Sequence, residues 1–515
     1  MKQTTKTGGL LRAAVAAGVL ALTFEVQAQD AATREVIQQL QKRIEELEQK
    51  VQALQGHTPA TAPVVTNAPV AARQPGLAPL ERRVQELEAR QEETARTNAA
   101  LYANLPNFRA GSDGLNLKSP DGWYDLRLAG VLQVDSRTFF GNSAIVGNDG
   151  FLLRRARPIL EGTVAHDVDF LFVPDFGGST PQIYDAYVNY RVSPALQLQA
   201  GKFKSPIGLE QLQSDRDLSF NERSLATDLV PNRDVGFLLH GDLLSGRLNY
   251  SAGVLNGVGD ARISGNSPFQ DDKEYVARLF AQPFKTDKDS PLRGLGLGVA
   301  GSFATQQATN TSALPATTGG TLAGFSTVGQ QQFFAYNPTG AGVVTANGDH
   351  WRISPQGYYY WGPLSLLGEF VVSDQEVHRS LGAGVVRSAR LENTAWEIAG
   401  GWVLTGEEAA FAGGVTPRHP FDPFAGRWGA WQVVARYSEL NVDHNAFPTF
   451  ANPASSANAA HEWSVGLNWY LNKNVKLAAS FAHTIFDGGG TGASVPGIVN
   501  HKDENVLFTR LQLAF

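Results

Sequence analysis

The chain has 515 residues, no cysteine, 43 Lys+Arg against 49 Asp+Glu, and a formal net charge of -6. That balance argues against a nucleic-acid partner, which selects a basic face, and the missing thiols exclude a disulfide framework and any Cys-ligated metal. Charged residues are 18% and glycines number 53, a composition suited to many strands and turns.

Residues 1–28 read as a secretory signal peptide. Lys2, Lys6 and Arg12 form a basic start, Ala13 to Phe24 a short apolar run, and Val26-Gln27-Ala28 a small-residue cleavage site. No later apolar run is long enough for a transmembrane helix. The segment 29–55 reads as a coiled coil: Ile37, Leu40, Ile44, Leu47, Val51 and Leu54 hold a strict 3,4 spacing. Residues 56–79 are a Pro/Ala-rich linker punctuated by Pro59, Pro63, Pro69, Pro75 and Pro79. A second helical segment, 80–104, has a weaker seam of Leu80, Val84, Leu87 and Leu101 with polar Gln91, Thr94 and Asn98 between. This N-terminal part is expected to be an oligomerising stalk.

From about residue 120 the period changes to two. Tyr184, Ala186, Val188, Tyr190 and Val192 alternate with Ile183, Asp185, Tyr187, Asn189 and Arg191. Leu248 to Val254 repeats the pattern, and Trp463, Val465, Leu467, Trp469 and Leu471 alternate with Glu462, Ser464, Gly466, Asn468 and Tyr470. An apolar, aromatic-ended face opposite a polar one fits lipid outside and water inside. About sixteen strands are readable, with 350–361 taken as one. Tight turns at 165–167, 193–194, 362–363 and 472–474 alternate with long connections at 136–150, 203–233, 255–273, 305–349, 374–391, 441–460 and 487–502. A soluble sandwich has no reason to sort its loops this way. The connection 406–427 breaks the rule. The fold class is therefore an all-β transmembrane barrel of about sixteen antiparallel strands preceded by an α-helical coiled-coil stalk. The barrel occupies 120–515, in an outer membrane with the stalk in the periplasm. Sixteen strands leave an aqueous channel. Leu507, Thr509, Leu511, Leu513 and Phe515 form an alternating, aromatic-terminated strand that resembles the signal read by the barrel assembly machinery.

Several stretches, in order, resemble the phosphate-selective porins of the O and P family: Gly150-Phe151-Leu152-Leu153-Arg154-Arg155-Ala156-Arg157, Phe170 to Gly178, Tyr184-Asp185-Ala186-Tyr187-Val188, Gly201-Lys202-Phe203-Lys204-Ser205-Pro206-Ile207-Gly208-Leu209-Glu210, and Gly429 to Ser438. The resemblance implies a homotrimer of sixteen-stranded barrels in outer-membrane lipid, passing small anions, with 406–427 a familiar feature. It places Arg154 and Arg155, with Arg157, on the channel wall; adjacent arginines on a regular strand face opposite sides, so not all can line the lumen at one depth. It also implies that the loop after Glu210 folds inward. There the phosphate-type members carry a lysine followed by a Ser pair, and the matching positions here are Gln211, Ser214 and Asp215.

Between 204 and 233 stand four cations, Lys204, Arg216, Arg223 and Arg233, and five acids, Glu210, Asp215, Asp217, Glu222 and Asp228. This is no basic funnel, and mixed rings do not give strong anion selectivity. The pore-lining or anion-contacting candidates are Arg154, Arg155, Arg157, Asp185, Lys202, Lys204, Gln211, Ser214, Arg216, Arg223 and Arg233. The expectation is a porin for passive diffusion of small anions, without a tight phosphate site, and with no metal or cofactor. The alternatives are a general or sugar/peptide-type diffusion porin of weak ion selectivity, and an outer-membrane tether or barrel enzyme. The scattered histidines and the lack of a Gly-x-Ser-x-Gly elbow argue against an enzyme.

Overall fold

The computed structural model describes residues 78–103, 105–140, 147–178, 180–264, 271–307, 322, 324–337, 342–382, 384–488 and 503–515. The leader, the 29–55 heptads and nearly all of the linker lie outside the described residues. The segment read as a second helix is helical, α1 (Ala78–Ala103), with Val84 and Leu87 of its seam 49% and 61% exposed.

The strands, in chain order, are β1 (Asn107–Gly111), β2 (Gly114–Lys118), β3 (Tyr124–Phe140), β4 (Gly150–Val164), β5 (Val168–Asp175), β6 (Gln182–Ser193), β7 (Leu196–Lys204), β8 (Arg233–Leu243), β9 (Leu248–Leu255), β10 (Glu274–Ala281), β11 (Leu295–Gln307), β12 (Phe325–Ser326), β13 (Gln332–Phe334), β14 (Val344–Trp361), β15 (Leu364–Ser380), β16 (Val386–Val403), β17 (Ala430–Asn441), β18 (Ala457–Tyr470), β19 (Val475–Gly488) and β20 (Asp503–Ala514). β3–β11 and β14–β20 form one closed antiparallel barrel of sixteen strands. β20 closes it on β3, from Asn505 opposite Phe140 to Ala514 opposite Val131. Phe515 and Gly130 then exchange both backbone hydrogen bonds at 3.0 Å. The β1–β2 hairpin prolongs the wall, with β2 paired to Asp125–Leu128 of β3. Gly114 makes this possible: at φ +94°, any Cβ would lie 2.2 Å from the Leu128 carbonyl oxygen.

The alternation produces two surfaces. Trp463, Val465 and Leu467 face outward and are exposed, while Glu462, Ser464 and Asn468 on the same strand are buried inside. Leu507, Leu511 and Leu513 face outward and Phe508, Arg510 and Gln512 inward in the same way. Stacked Trp431 and Trp469, 4.8 Å apart, sit near the short-turn rim, where amphipathic rings suit the lipid headgroups.

Two expectations need correction. Residues 374–391 are not a long loop: β15 and β16 pair through Ser380 and Val386, leaving only a short turn. This hairpin carries polar residues on both faces, such as Asp374, Gln375, Glu376 and Arg379, so period two has no apolar face to reveal it. Tyr184 does not share the outer face of Ala186 and Val188. Val173 pairs with Asp185 and Pro174 with Ile183, so Tyr184 is the extra residue of a bulge and turns inward. The inward loop implied by the resemblance is present, and it fills part of the lumen. The loop 205–232 folds inside, bearing the short helix α2 (Leu209–Leu212). Its Ile207, Leu225, Leu229 and Val230 join Phe325, Phe333 and Phe334 of the β12–β13 hairpin in one apolar cluster with wall residues such as Val371, Leu391 and Leu440.

Candidate pore constriction

The wall arginines begin with an irregularity. Gln133 pairs with Arg155 and Val134 with Leu153, so Arg154 is the extra residue of a bulge in β4. A bulge re-aims a side chain; here it lets Arg154, Arg155 and Arg157 all border one cavity. This corrects the expectation that adjacent arginines must diverge. Asp175 holds the bulged segment, accepting from Ala156 N at 3.1 Å, Gly177 N at 2.9 Å and Arg157 Nε at 2.6 Å. Gly177 passes so close that a Cβ would lie 2.7 Å from the Arg154 carbonyl oxygen, which requires glycine there.

The inward loop meets these arginines with its carboxylates. Glu222 accepts from Arg154 at 2.6 and 2.9 Å and from Arg137 at 3.2 Å, and lies 3.5 Å from Arg510. Asp215 pairs with Arg155 at 3.4 Å, with Arg223 at 2.5 Å, and with Arg157. Glu210 pairs with Arg436 at 3.2 Å, and Arg436 reaches Glu462 at 3.4 Å. On the wall itself Arg510 is bidentate to Asp135 at 2.6 and 2.7 Å, and Arg233 pairs with Asp185 at 3.2 Å. Burial would raise the carboxyls of Asp215 and Glu222. The surrounding guanidiniums, led by Arg155 for Asp215 and Arg154 for Glu222, outweigh it and hold both well below the usual carboxylate range.

Loop carbonyls engage further wall side chains. Lys204 Nζ donates to the Gln213 and Leu212 carbonyl oxygens at 2.7 and 3.3 Å, Lys476 Nζ to Leu218 O at 2.9 Å, and Gln512 Nε2 to Arg216 O at 2.9 Å. From the short-turn side the connection 404–429 folds in behind the loop. Phe411 stacks on Tyr358 at 5.0 Å, Gln213 Nε2 donates to Phe411 O at 3.0 Å, and Gly413 N donates to Asp217 at 2.9 Å.

A cavity of about 620 Å³ on the short-turn side and one of about 330 Å³ on the long-loop side flank the loop. Both are bordered by Arg157, Asp215 and Arg233, which therefore stand at the partition where the two cavities meet. Asp185, Lys204, Ser214 and Arg216 border the larger cavity, with Arg216 beside Asp217 at 3.4 Å. Arg154, Arg155, Arg223 and Gln211 border the smaller, Gln211 Nε2 donating to Asn232 Oδ1 at 2.7 Å. Lys202 borders neither; it is buried, with Nζ donating to Ser264 O at 2.6 Å.

Sequence reasoning missed Arg137, Arg436 and Arg510 as partners of the loop, although Arg510 stood on the inward face of its strand. It also missed Arg278, which borders the larger cavity. Arg278 donates to the amide oxygens of Gln356 at 3.1 Å and Asn249 at 3.4 Å, and lies over the Phe280 ring at 4.4 Å.

A closed sixteen-stranded barrel with an inward loop crossing an arginine-lined lumen is a porin architecture. Residues 127–515 match the sequence family described as phosphate-selective porin O and P. The chain belongs to that family. Porin O of Pseudomonas aeruginosa is 24% identical over 428 residues, covering 78% of this chain and 91% of the relative. Among solved structures, the outer membrane channel DcaP of Acinetobacter baumannii is similar at a TM-score of 0.47 and 12% identity, covering 77% of this chain and 99% of that one. The anion-selective porin from Comamonas acidovorans is similar at 0.45 and 12%, covering 76% and 100%. The chain is thus an outer-membrane β-barrel porin forming a channel for passive diffusion.

Proposed function

We propose that this porin passes small anions with a modest preference over cations and without a tight phosphate site at its constriction. One observation carries the reading. Eight guanidiniums, of Arg137, Arg154, Arg155, Arg157, Arg223, Arg233, Arg436 and Arg510, face seven carboxylates, of Asp135, Asp175, Asp185, Glu210, Asp215, Glu222 and Glu462. The arginines anchor the loop or pair along the wall rather than standing as a bare cationic ring, so the fixed field is slight. Arg278, hydrogen-bonded to amides and in no salt bridge among the described residues, with Glu369 acting on it only at longer range, adds positive potential at the larger cavity. Reversal potential of the reconstituted protein in a KCl gradient tests it. A small potential of anion-selective sign and only weak block of chloride current by phosphate are expected; a cation-selective sign would overturn the reading.

The exposed Val84 and Leu87 seam of α1 supports a second element of the proposal. The helical segments before the barrel associate in parallel as a periplasmic stalk on a trimer, through the Ile37–Leu54 heptads. Leu47→Asp is expected to abolish stalk association while the membrane keeps its barrel, read by crosslinking and by heat-modifiable migration. Unchanged crosslinking would count against it.

A further inference from the structure

Asp215 sits where the two cavities meet, and what surrounds it is the donor set of an oxyanion site. Its carboxylate receives Arg155, Arg157 and Arg223, cations that come from the wall and from the loop itself. Three guanidiniums converging on one pair of oxygens is the arrangement that recognises phosphate, because the planar forks bind two oxygens at once. The backbone that carries it is fixed as well: Gln133 Nε2 donates to the Asp215 main-chain carbonyl oxygen at 3.1 Å and to Gln512 Oε1 at 2.7 Å.

Resting on the anion-passing reading above, we propose that Asp215 is a tethered stand-in for a permeating oxyanion and is the residue that withholds phosphate affinity from this channel. A ligand attached to its own site competes at an effective concentration of roughly millimolar or more. Dilute phosphate therefore meets a site already occupied, whereas chloride, which needs no fork, passes alongside. The arginines hold the Asp215 carboxyl far below the usual range, so protonation does not vacate the site at neutral pH. Specificity of this kind is set by a repulsive element rather than by a missing attractive one. The resemblance pointed to both the absent lysine at Gln211 and the carboxylate at Asp215; the geometry shifts the weight to Asp215.

The test uses the full-length protein in planar bilayers, with inorganic phosphate as the probe against chloride current. Asp215→Asn keeps the shape and removes the charge. Asp217→Asn removes the same charge from the same loop but outside the arginine cluster, since Asp217 faces Arg216 and Gly413 N. The expected result is a fall of roughly tenfold or more in the phosphate concentration for half-block in Asp215→Asn, with Asp217→Asn close to the unmutated channel. Asp215→Ser, which also removes the carboxylate, should behave like Asp215→Asn. No change in either Asp215 variant would overturn the proposal, as would an equal change in Asp217→Asn, which would reduce the effect to long-range charge. Failure of both Asp215 variants to assemble would overturn it too, making Asp215 a folding residue. An unmutated channel of cation-selective sign would sink the anion-passing reading separately, leaving the comparison of variants readable.

Discussion

Arg154 and Glu222 form a two-pronged pair: Nε and Nη2 of the arginine reach the two carboxylate oxygens at 2.6 and 2.9 Å, across 68 residues of sequence. The arginine stands on a bulge in the wall and the glutamate on the side of the loop that faces the wall, so this pair ties the loop to that wall. Glu222 also neutralises Arg137 and touches Arg510. Removing one partner of a buried pair leaves uncompensated charge and costs about 3–5 kcal/mol. Here the partners left behind number three. Glu222→Gln should release the loop rather than the barrel, because sixteen strands hold each other independently. Expected outcomes are a higher and noisier single-channel conductance, stronger anion preference, and new protease cleavage within 205–232, with heat-modifiable migration retained.

The loop assembly should also respond to pH, with a sign that differs between its carboxyls. Asp228 accepts from Ser326 N of the β12–β13 hairpin at 2.8 Å. Burial raises its pKa, that backbone bond pulls it down and Asp260 nearby adds to the rise, which together leave it at about 7. A raised acid binds its proton more tightly in the folded arrangement, so its contribution is full below about pH 4, declines as pH rises through 7, and is flat above. Asp215 and Glu222 are held low, so their contributions are constant from neutrality down to about pH 4 and fall only on further acidification. Between pH 5 and 8 the Asp228 effect stands alone of these three. The contact between loop and hairpin should weaken on going from pH 5 to pH 8, seen as more frequent closures or a lower melting temperature at pH 8. Asp228→Asn should flatten that dependence, and an unaltered slope in the variant would reject the assignment.

The barrel was legible because lipid and water impose opposite demands on alternate residues of every strand, so Trp463, Val465 and Leu467 declare their face without any structure. The constriction was only half legible. Which residue types it uses could be read around Arg154 to Arg157 and across 204–233, but not their pairing, which joins positions far apart in the chain. The bulges at Arg154 and Tyr184 add one residue without changing composition, and their cause lies elsewhere, in Asp175, Gly177 and Pro174 of a neighbouring strand and its connection. Loop residues such as Leu225, Leu229, Phe333 and Phe334 are as apolar as strand residues, and nothing local says that they pack inside the lumen.

Arg278 offers a separation of selectivity from stability. Its hydrogen bonds go to Gln356 and Asn249, neutral amides, so replacing it strands no buried carboxylate among those contacts. Arg278→Gln should lower anion preference in the reversal-potential measurement while leaving heat-modifiable migration within a few degrees. An unchanged potential would mean that the field at the passage is set by the paired arginines alone.

Closure of the barrel rests on a small contact with a large consequence. Phe515 and Gly130 exchange two backbone hydrogen bonds at 3.0 Å, completing the β20–β3 ladder one pair beyond Ala514 and Val131. A Cβ on Gly130 would lie 3.0 Å from the Phe515 ring, so the ring lies directly against the glycine, with 39% of the residue still exposed on the outer face. Deleting Phe515 removes both bonds and the ring together and exposes the ends of a strand pair that a barrel otherwise leaves without an edge. Phe515→Leu keeps the backbone bonds and loses only the aromatic surface. Gly130→Val forces the ring away while leaving residue 515 in place. If the ring and the closure act together, the folded band on unboiled gels should fall most for the deletion and less for Gly130→Val and Phe515→Leu. If only an aromatic at position 515 matters, Gly130→Val should assemble normally while Phe515→Leu and the deletion fail alike, and the geometric account of closure would be lost.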